Sequence, residues 1–266
     1  MKKISAIQES QYVDKIIGRR LNEELFDMDD IIKSRILPGN SHWFYYDKLY
    51  TILRQGPKCK VLDVACGIGF LSVLLARYGH KVVAVDISSN SIEYAKRLAA
   101  AYNCSENIDF RVMDICKLDL DSDQFDIVTG EDALHHIIKY PGAVENIYRV
   151  LKPGGKVYFS EPFAFNPLIN LMRFINVHIK NHRGEQFLGR KELNLVNSCF
   201  NDIKITDKSV IYVFSRFFQK SSARNRKINI FLKKMDDLFQ SKFPFLRRFY
   251  ALGFLEMTKK NGLEHS

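Results

Sequence analysis

Val61-Leu62-Asp63-Val64-Ala65-Cys66-Gly67-Ile68-Gly69-Phe70 is a short apolar run that ends around a carboxylate and passes into a turn with two glycines. The run reads as a strand buried on both faces. Glycine at 67 and 69 lets the backbone come within contact distance of a ligand, because no Cβ stands in the way. In open α/β sheets such turns lie beyond the carboxyl ends of the strands, where ligands bind. Ser72 stands where a dinucleotide fingerprint has its third glycine, and no Gly-Lys-Ser/Thr follows to make a phosphate loop. The next apolar strand, Val82-Val83-Ala84-Val85-Asp86, ends in a carboxylate 19 residues after Gly67. That position suits hydrogen bonding to two vicinal ribose hydroxyls. The ligand these two strands imply is a nucleoside, with nothing to indicate a pyrophosphate.

Outward from this pair, short apolar runs alternate with helical stretches. Lys60–Val64, Lys81–Asp86, Ile108–Met113, Phe125–Thr129 and Lys156–Ser160 read as strands, and Phe70–Tyr78, Ser91–Tyr102 and Ala143–Leu151 as helices. Lys152-Pro153-Gly154-Gly155 reads as a tight turn before the fifth strand. Strict alternation predicts βαβ units and a parallel sheet covered on both faces. Upstream, Pro38-Gly39-Asn40 separates a first helix from a second that starts after Ser41 and carries Trp43, Phe44, Tyr45 and Tyr46. Downstream, Leu168–Ile179, Arg190–Cys199 and Ile228–Gln240 have helical spacing. Ile203–Val213 reads as a strand, and Ala251–Lys259 as a last strand at the sheet edge.

Taken in order, these motifs resemble the class I S-adenosylmethionine-dependent methyltransferases, and among them the subgroup related to ubiquinone/menaquinone-biosynthesis methyltransferases (methyltransferase type 11). The likeness runs from about Lys58 to Pro162. It rests on Asp63–Phe70, Ala84–Ser88, Met113-Asp114, Phe125–Val128 with Ala133–Ile137, and Leu151–Gly155. The fold it implies is α/β: a doubly wound, mostly parallel seven-stranded Rossmann-like sheet with an N-terminal helical lid and C-terminal additions. The chain divides accordingly into a helical lid or substrate cap (1–56), an S-adenosylmethionine-binding core (57–162), and a region of substrate-wall helices and closing strands (163–262).

The resemblance also implies roles by position. Ala65, Gly67 and Gly69 pass under the cofactor, and Asp63 orients its methionyl ammonium directly or through water. Asp86 holds the ribose hydroxyls, Ile87 and Ile115 flank the adenine, Asp114 accepts from the adenine amino group, and Glu131 meets the methionyl end. His135 and His136 are the candidate bases, since histidine titrates near neutrality. Packing or capping is the competing role for at least one of them. Glu161, after the fifth strand, is an alternative base or substrate contact. Trp43, Tyr45 and Tyr46 are substrate candidates in the lid, with burial against the sheet as the competing role. Cys66 reads as a packing residue.

Composition sets the remaining bounds. The five cysteines are scattered, with no Cys-x-x-Cys pair, which points to a reducing, cytoplasmic setting and to neither a disulfide frame nor a metal site. No signal peptide or run of about 18 apolar residues is present. Leu263-Glu264-His265-Ser266 reads as an expression-tag remnant. Residues 164–262 hold 19 Lys/Arg against 7 Asp/Glu, so the whole positive excess of the chain lies there. These cations are interleaved with aromatics, which suits an anionic membrane surface or single-stranded nucleic acid; a solvated helix is the plainer reading. The expected function is methyl transfer to a small, amphiphilic or lipid-like acceptor, yielding S-adenosylhomocysteine. The alternatives are an RNA methyltransferase gripping through the basic third, and a non-catalytic nucleoside-binding regulator.

Overall fold

The computed structural model describes residues 43–178, 187–200, 202–218 and 223–260, with scattered positions between 10 and 32. Helix α1 (Trp43–Gln55) leads into β1 (Lys60–Val64), α2 (Phe70–Arg77), β2 (Lys81–Asp86), α3 (Ser89–Ala101) and β3 (Ile108–Val112). Then follow β4 (Phe125–Glu131), the single turn α4 (Leu134–Ile137), α5 (Ala143–Val150) and β5 (Leu151–Pro162). The chain continues as α6 (Pro167–His178), α7 (Arg190–Cys199), β6 (Ile203–Ser209), α8 (Ala223–Lys242) and β7 (Leu252–Thr258). The seven strands form one sheet in the order β3-β2-β1-β4-β5-β7-β6. β1 to β5 are parallel, whereas β7 runs antiparallel to both β5 and β6.

Strand period puts alternate residues on opposite faces, and here both faces are apolar. Leu62, Val64, Val83 and Val85 join a core closed by Val144 and Ile147 of α5 and Val196 of α7. Val61, Val82 and Ala84 join another, closed by Leu49 and Leu53 of α1, Leu74 of α2 and Leu98 of α3. This two-sided burial is why the strands read as continuous apolar runs. Helix α2 ends where glycine permits it: Gly79 takes φ +91° while the Tyr78 amide still bonds the Leu74 carbonyl.

Three sequence expectations change. The last strand is interior, and β6 occupies the edge. The burial of β7 is nearly continuous, whereas β6 alternates and carries Lys204 and Lys208, as an edge strand protected against further pairing does. The strand expected over 203–213 stops at Ser209, because the buried Asp236 of α8 accepts from the amides of Val210, Ile211 and Tyr212 and turns the chain into a 3₁₀ segment, Tyr212–Phe218. The turn at Lys152–Gly155 is drawn into β5. Leu151 pairs with Phe125, and Gly154 and Gly155 exchange hydrogen bonds with Lys259. Among the described residues no helix is long and apolar enough to cross a membrane.

Candidate functional site

Sheet order reverses between β1 and β4, and the carboxyl ends of β1, β2, β3 and β4 open there onto a cavity of about 230 Å³. This is the topological switch point at which doubly wound folds bind ligands. The turn after β1 forms its floor. Ala65 and Gly67 both take positive φ, +50° and +52°, and the Cys66 amide bonds the Val85 carbonyl of the neighbouring strand. A Cβ added at Gly67 meets nothing within 4 Å, so glycine here leaves ligand space open. Gly69 serves packing instead: its missing Cβ would stand 2.5 Å from the Ala95 Cβ of α3.

Asp86 ties the floor together. Its Oδ2 accepts from the Gly67 amide at 2.8 Å and its Oδ1 from the Ser88 amide at 2.9 Å. One strand-end carboxylate thus fixes the glycine turn to the loop leading into α3. Asp114 lies across the cavity at the end of β3, where its Oδ1 caps the Cys116 amide at 2.9 Å. Ile87 and Ile115 add apolar wall, and Asp132 lines the mouth with φ +48°. Asp86, Asp114 and Asp132 make the described lining acidic; it contains no lysine or arginine. A group that carries positive charge suits such a lining.

Asp63 is enclosed beneath the floor and does not line the cavity. Its Oδ2 accepts from the Ser72 hydroxyl at 2.5 Å, and its Oδ1 is buried with no hydrogen-bond partner. Burial pushes its carboxyl up to about 8. The Ser72 hydrogen bond opposes that rise, and the nearby Glu131 and Asp86 charges add to it. The Cys66 thiol is driven well above its ordinary value by desolvation and by Asp63 and Asp86, which removes it as a nucleophile.

The two histidines part company. His136 lines the cavity, whereas His135 is buried with its Nδ1 2.6 Å from Glu161 Oε2. Glu161, fully enclosed, also accepts from the amides of Ala133 at 3.2 Å, Leu134 at 2.8 Å and His135 at 3.3 Å. The expected crevice-facing Glu161 is therefore corrected. It lies under α4, satisfying the orphan donors of that short helix. The two rings lie 4.1 Å apart, so Glu161 fixes His135 and His135 backs His136.

Helix α1 reaches the same strand ends. The Tyr46 hydroxyl donates to Asp132 Oδ2 at 2.6 Å, and Tyr50, one turn later, donates to Glu131 Oε1. The two rings stack at 5.8 Å. Glu131 and Tyr46 thus flank the cavity without lining it; the side chains of Trp43 and Tyr45 lie outside the described residues. Sequence reading missed Asp132 and three further contributors. Val13 and Tyr140 line the cavity, and Asp14 docks on the loop after β2. Asp14 Oδ1 accepts from the Ser88 hydroxyl at 2.5 Å and the Asn90 amide at 3.1 Å, and Ser10 donates to the Ile87 carbonyl at 3.0 Å. The apolar spacing of a helix does not say which loop it will cover. Among the described residues no cluster of three or more His, Cys, Asp or Glu is placed to hold a metal ion.

Residues 62–159 match a sequence family described as a methyltransferase domain. A ubiquinone biosynthesis O-methyltransferase of Coxiella burnetii is 40% identical over 100 residues, 38% of this chain and 42% of that protein. Phosphoethanolamine N-methyltransferase 3 of Arabidopsis thaliana is 37% identical over 106 residues, 40% of this chain and 21% of that protein. The matched stretch thus spans less than half the length of these curated relatives. In fold, the chain is similar to phosphoethanolamine N-methyltransferase 2 of Haemonchus contortus, solved with phosphomonomethylethanolamine and S-adenosylhomocysteine. The TM-score is 0.57 at 19% identity, over 97% of this chain and 60% of that one.

Proposed function

We infer that this chain, whose residues 62–159 form a class I methyltransferase domain resembling those of ubiquinone biosynthesis, is an S-adenosylmethionine-dependent methyltransferase acting on a small amphiphilic acceptor. The observation that carries the reading is the acidic cavity at the switch point, floored by a turn that leaves ligand space at Gly67 and pinned by Asp86. When bound there, the cofactor supplies a methyl group already activated by its sulfonium. Every other requirement falls to the chain. Asp86 accepts from the ribose hydroxyls, and Ile87, Ile115 and Asp114 hold the adenine by apolar contact and one hydrogen bond. Ala65 and Gly67 let the backbone approach. Glu131 sets the potential at the methionyl end, while the buried Asp63, held in its protonated form near neutral pH, keeps one acceptor atom with no partner of its own.

Aligning nucleophile and methyl carbon is the main catalytic demand, and fixed geometry can supply roughly 7–11 kcal/mol. Where the nucleophile arrives protonated, His136 accepts the proton. His135, anchored on Glu161, positions it. Tyr46, by way of Asp132, positions the cavity mouth. The amphiphilic character of the acceptor is supported by α6, which follows β5. Leu168, Leu171 and Ile175, one face of that helix, are exposed. The scattered, unpaired cysteines support a cytoplasmic setting.

Calorimetric titration of S-adenosylhomocysteine into the protein and into Asp86→Ala tests the reading. Losing the carboxylate should weaken binding by about 1–3 kcal/mol. A folded wild type that binds neither S-adenosylmethionine nor S-adenosylhomocysteine sinks it.

A further inference from the structure

Large apolar side chains exposed beside cations need an account, because soluble monomers seldom gather them. Helix α8 presents Phe231 at 60% exposure and Leu238 at 47%. The 3₁₀ segment that follows, Pro244–Arg248, sits among Phe243 at 46% and Phe245 at 57%. Arg224, Lys227, Phe231, Lys234, Leu238 and Lys242 succeed one another by steps of three and four, which puts them on one stripe of the helix. The buried Asn229 and Asp236 lie on the opposite side. The exposed carboxylate of the helix, Asp237, lies off the stripe and is paired with Lys233 one turn back. At its carboxyl end the stripe meets a cluster in which Phe239, Phe243 and Phe245 stand 6.1 and 6.2 Å apart. Arg247 and Arg248 are exposed beside it.

We propose that α8 and the segment after it form a docking surface for an anionic lipid bilayer. The cations rest at the headgroups, and Phe231, Leu238, Phe243 and Phe245 enter the acyl boundary. Cations spaced one turn apart between apolar residues, with stems long enough to reach up while the rings go down, are the pattern of an interfacial helix. Charge decides the partner. The stripe carries no carboxylate, so a second copy of this chain would set like charges face to face, whereas an anionic bilayer attracts them at about fivefold in affinity per cation near the surface. The surface does not depend on which molecule accepts the methyl group, and it brings the protein to the phase where an amphiphilic acceptor dissolves.

The test is co-sedimentation of the full chain with phosphatidylcholine vesicles, with and without phosphatidylglycerol, set beside a single-stranded RNA binding assay. Wild type should bind the anionic vesicles, release them as salt rises, and bind pure phosphatidylcholine at least tenfold less. Lys227→Gln with Lys234→Gln should weaken anionic binding roughly 25-fold, and Phe243→Ser with Phe245→Ser at least tenfold. Both variants should keep wild-type affinity for S-adenosylhomocysteine, which separates this surface from the cofactor reading. Absence of vesicle binding at low salt, equal binding by the variants, or preference for RNA over vesicles overturns the proposal.

Discussion

Asp63→Asn makes the sharpest prediction, because the structure gives both its sign and its size. The carboxyl is enclosed, one oxygen held by Ser72 and the other unpartnered, and its folded pKa is about 8 against an ordinary 3.8. Between those values the folded protein binds a proton that the unfolded chain releases, so stability falls as pH rises through the window and levels off above about 8. At about 1.36 kcal/mol per pKa unit, a rise from 3.8 to about 8 means roughly 4 kcal/mol lost between about pH 5 and about pH 9. A site that relaxes and admits water would reduce this to about 2 kcal/mol, still a large fraction of a typical domain's stability. Asparagine keeps the shape and cannot ionise. Urea unfolding of both proteins across that range isolates the residue, since every other titration is common to the two. The gap should widen in favour of the variant as pH rises, with a slope near one proton at about neutral pH. A gap that stays constant with pH would show that the carboxylate is already ionised, and the argument from its burial would fail.

The two glycines of the turn should separate fold from binding. Gly69→Ala, strained at φ +78° and 2.5 Å from the Ala95 Cβ, should lower stability by about 2–4 kcal/mol in thermal melts. Gly67→Ala should cost about 1 kcal/mol of stability, yet lose most cofactor affinity by calorimetry, because its methyl group enters the cavity. Glu161→Gln, which weakens three amide bonds and the His135 contact, should destabilise the protein by about 1–3 kcal/mol. His136→Ala should melt near wild type and lose turnover instead. A normal melt for Glu161→Gln would mean that α4 does not depend on this cap.

Much of the core was legible in the sequence because each signal there is local. A strand buried on both faces has to be an apolar run, a turn that leaves open space has to shed its Cβ, and the carboxylate that ties this turn to the following loop ends the next strand. Those constraints fix Val61–Phe70 and Val82–Asp86 without reference to the rest of the chain. Contacts between residues distant in the chain were beyond such a reading. Which histidine faces the cavity depends on Glu161, some 25 residues further along and beneath the helix. Where the second half of the segment 203–213 leaves the sheet depends on Asp236 of α8. That β7 lies inside and β6 at the edge follows from which strand can bury a continuous apolar face, a comparison that exists only once both strands compete for β5. Asp14 was invisible for the same reason: a carboxylate on an amphipathic helix looks like solvent-facing charge until the fold brings Ser88 and Asn90 against it.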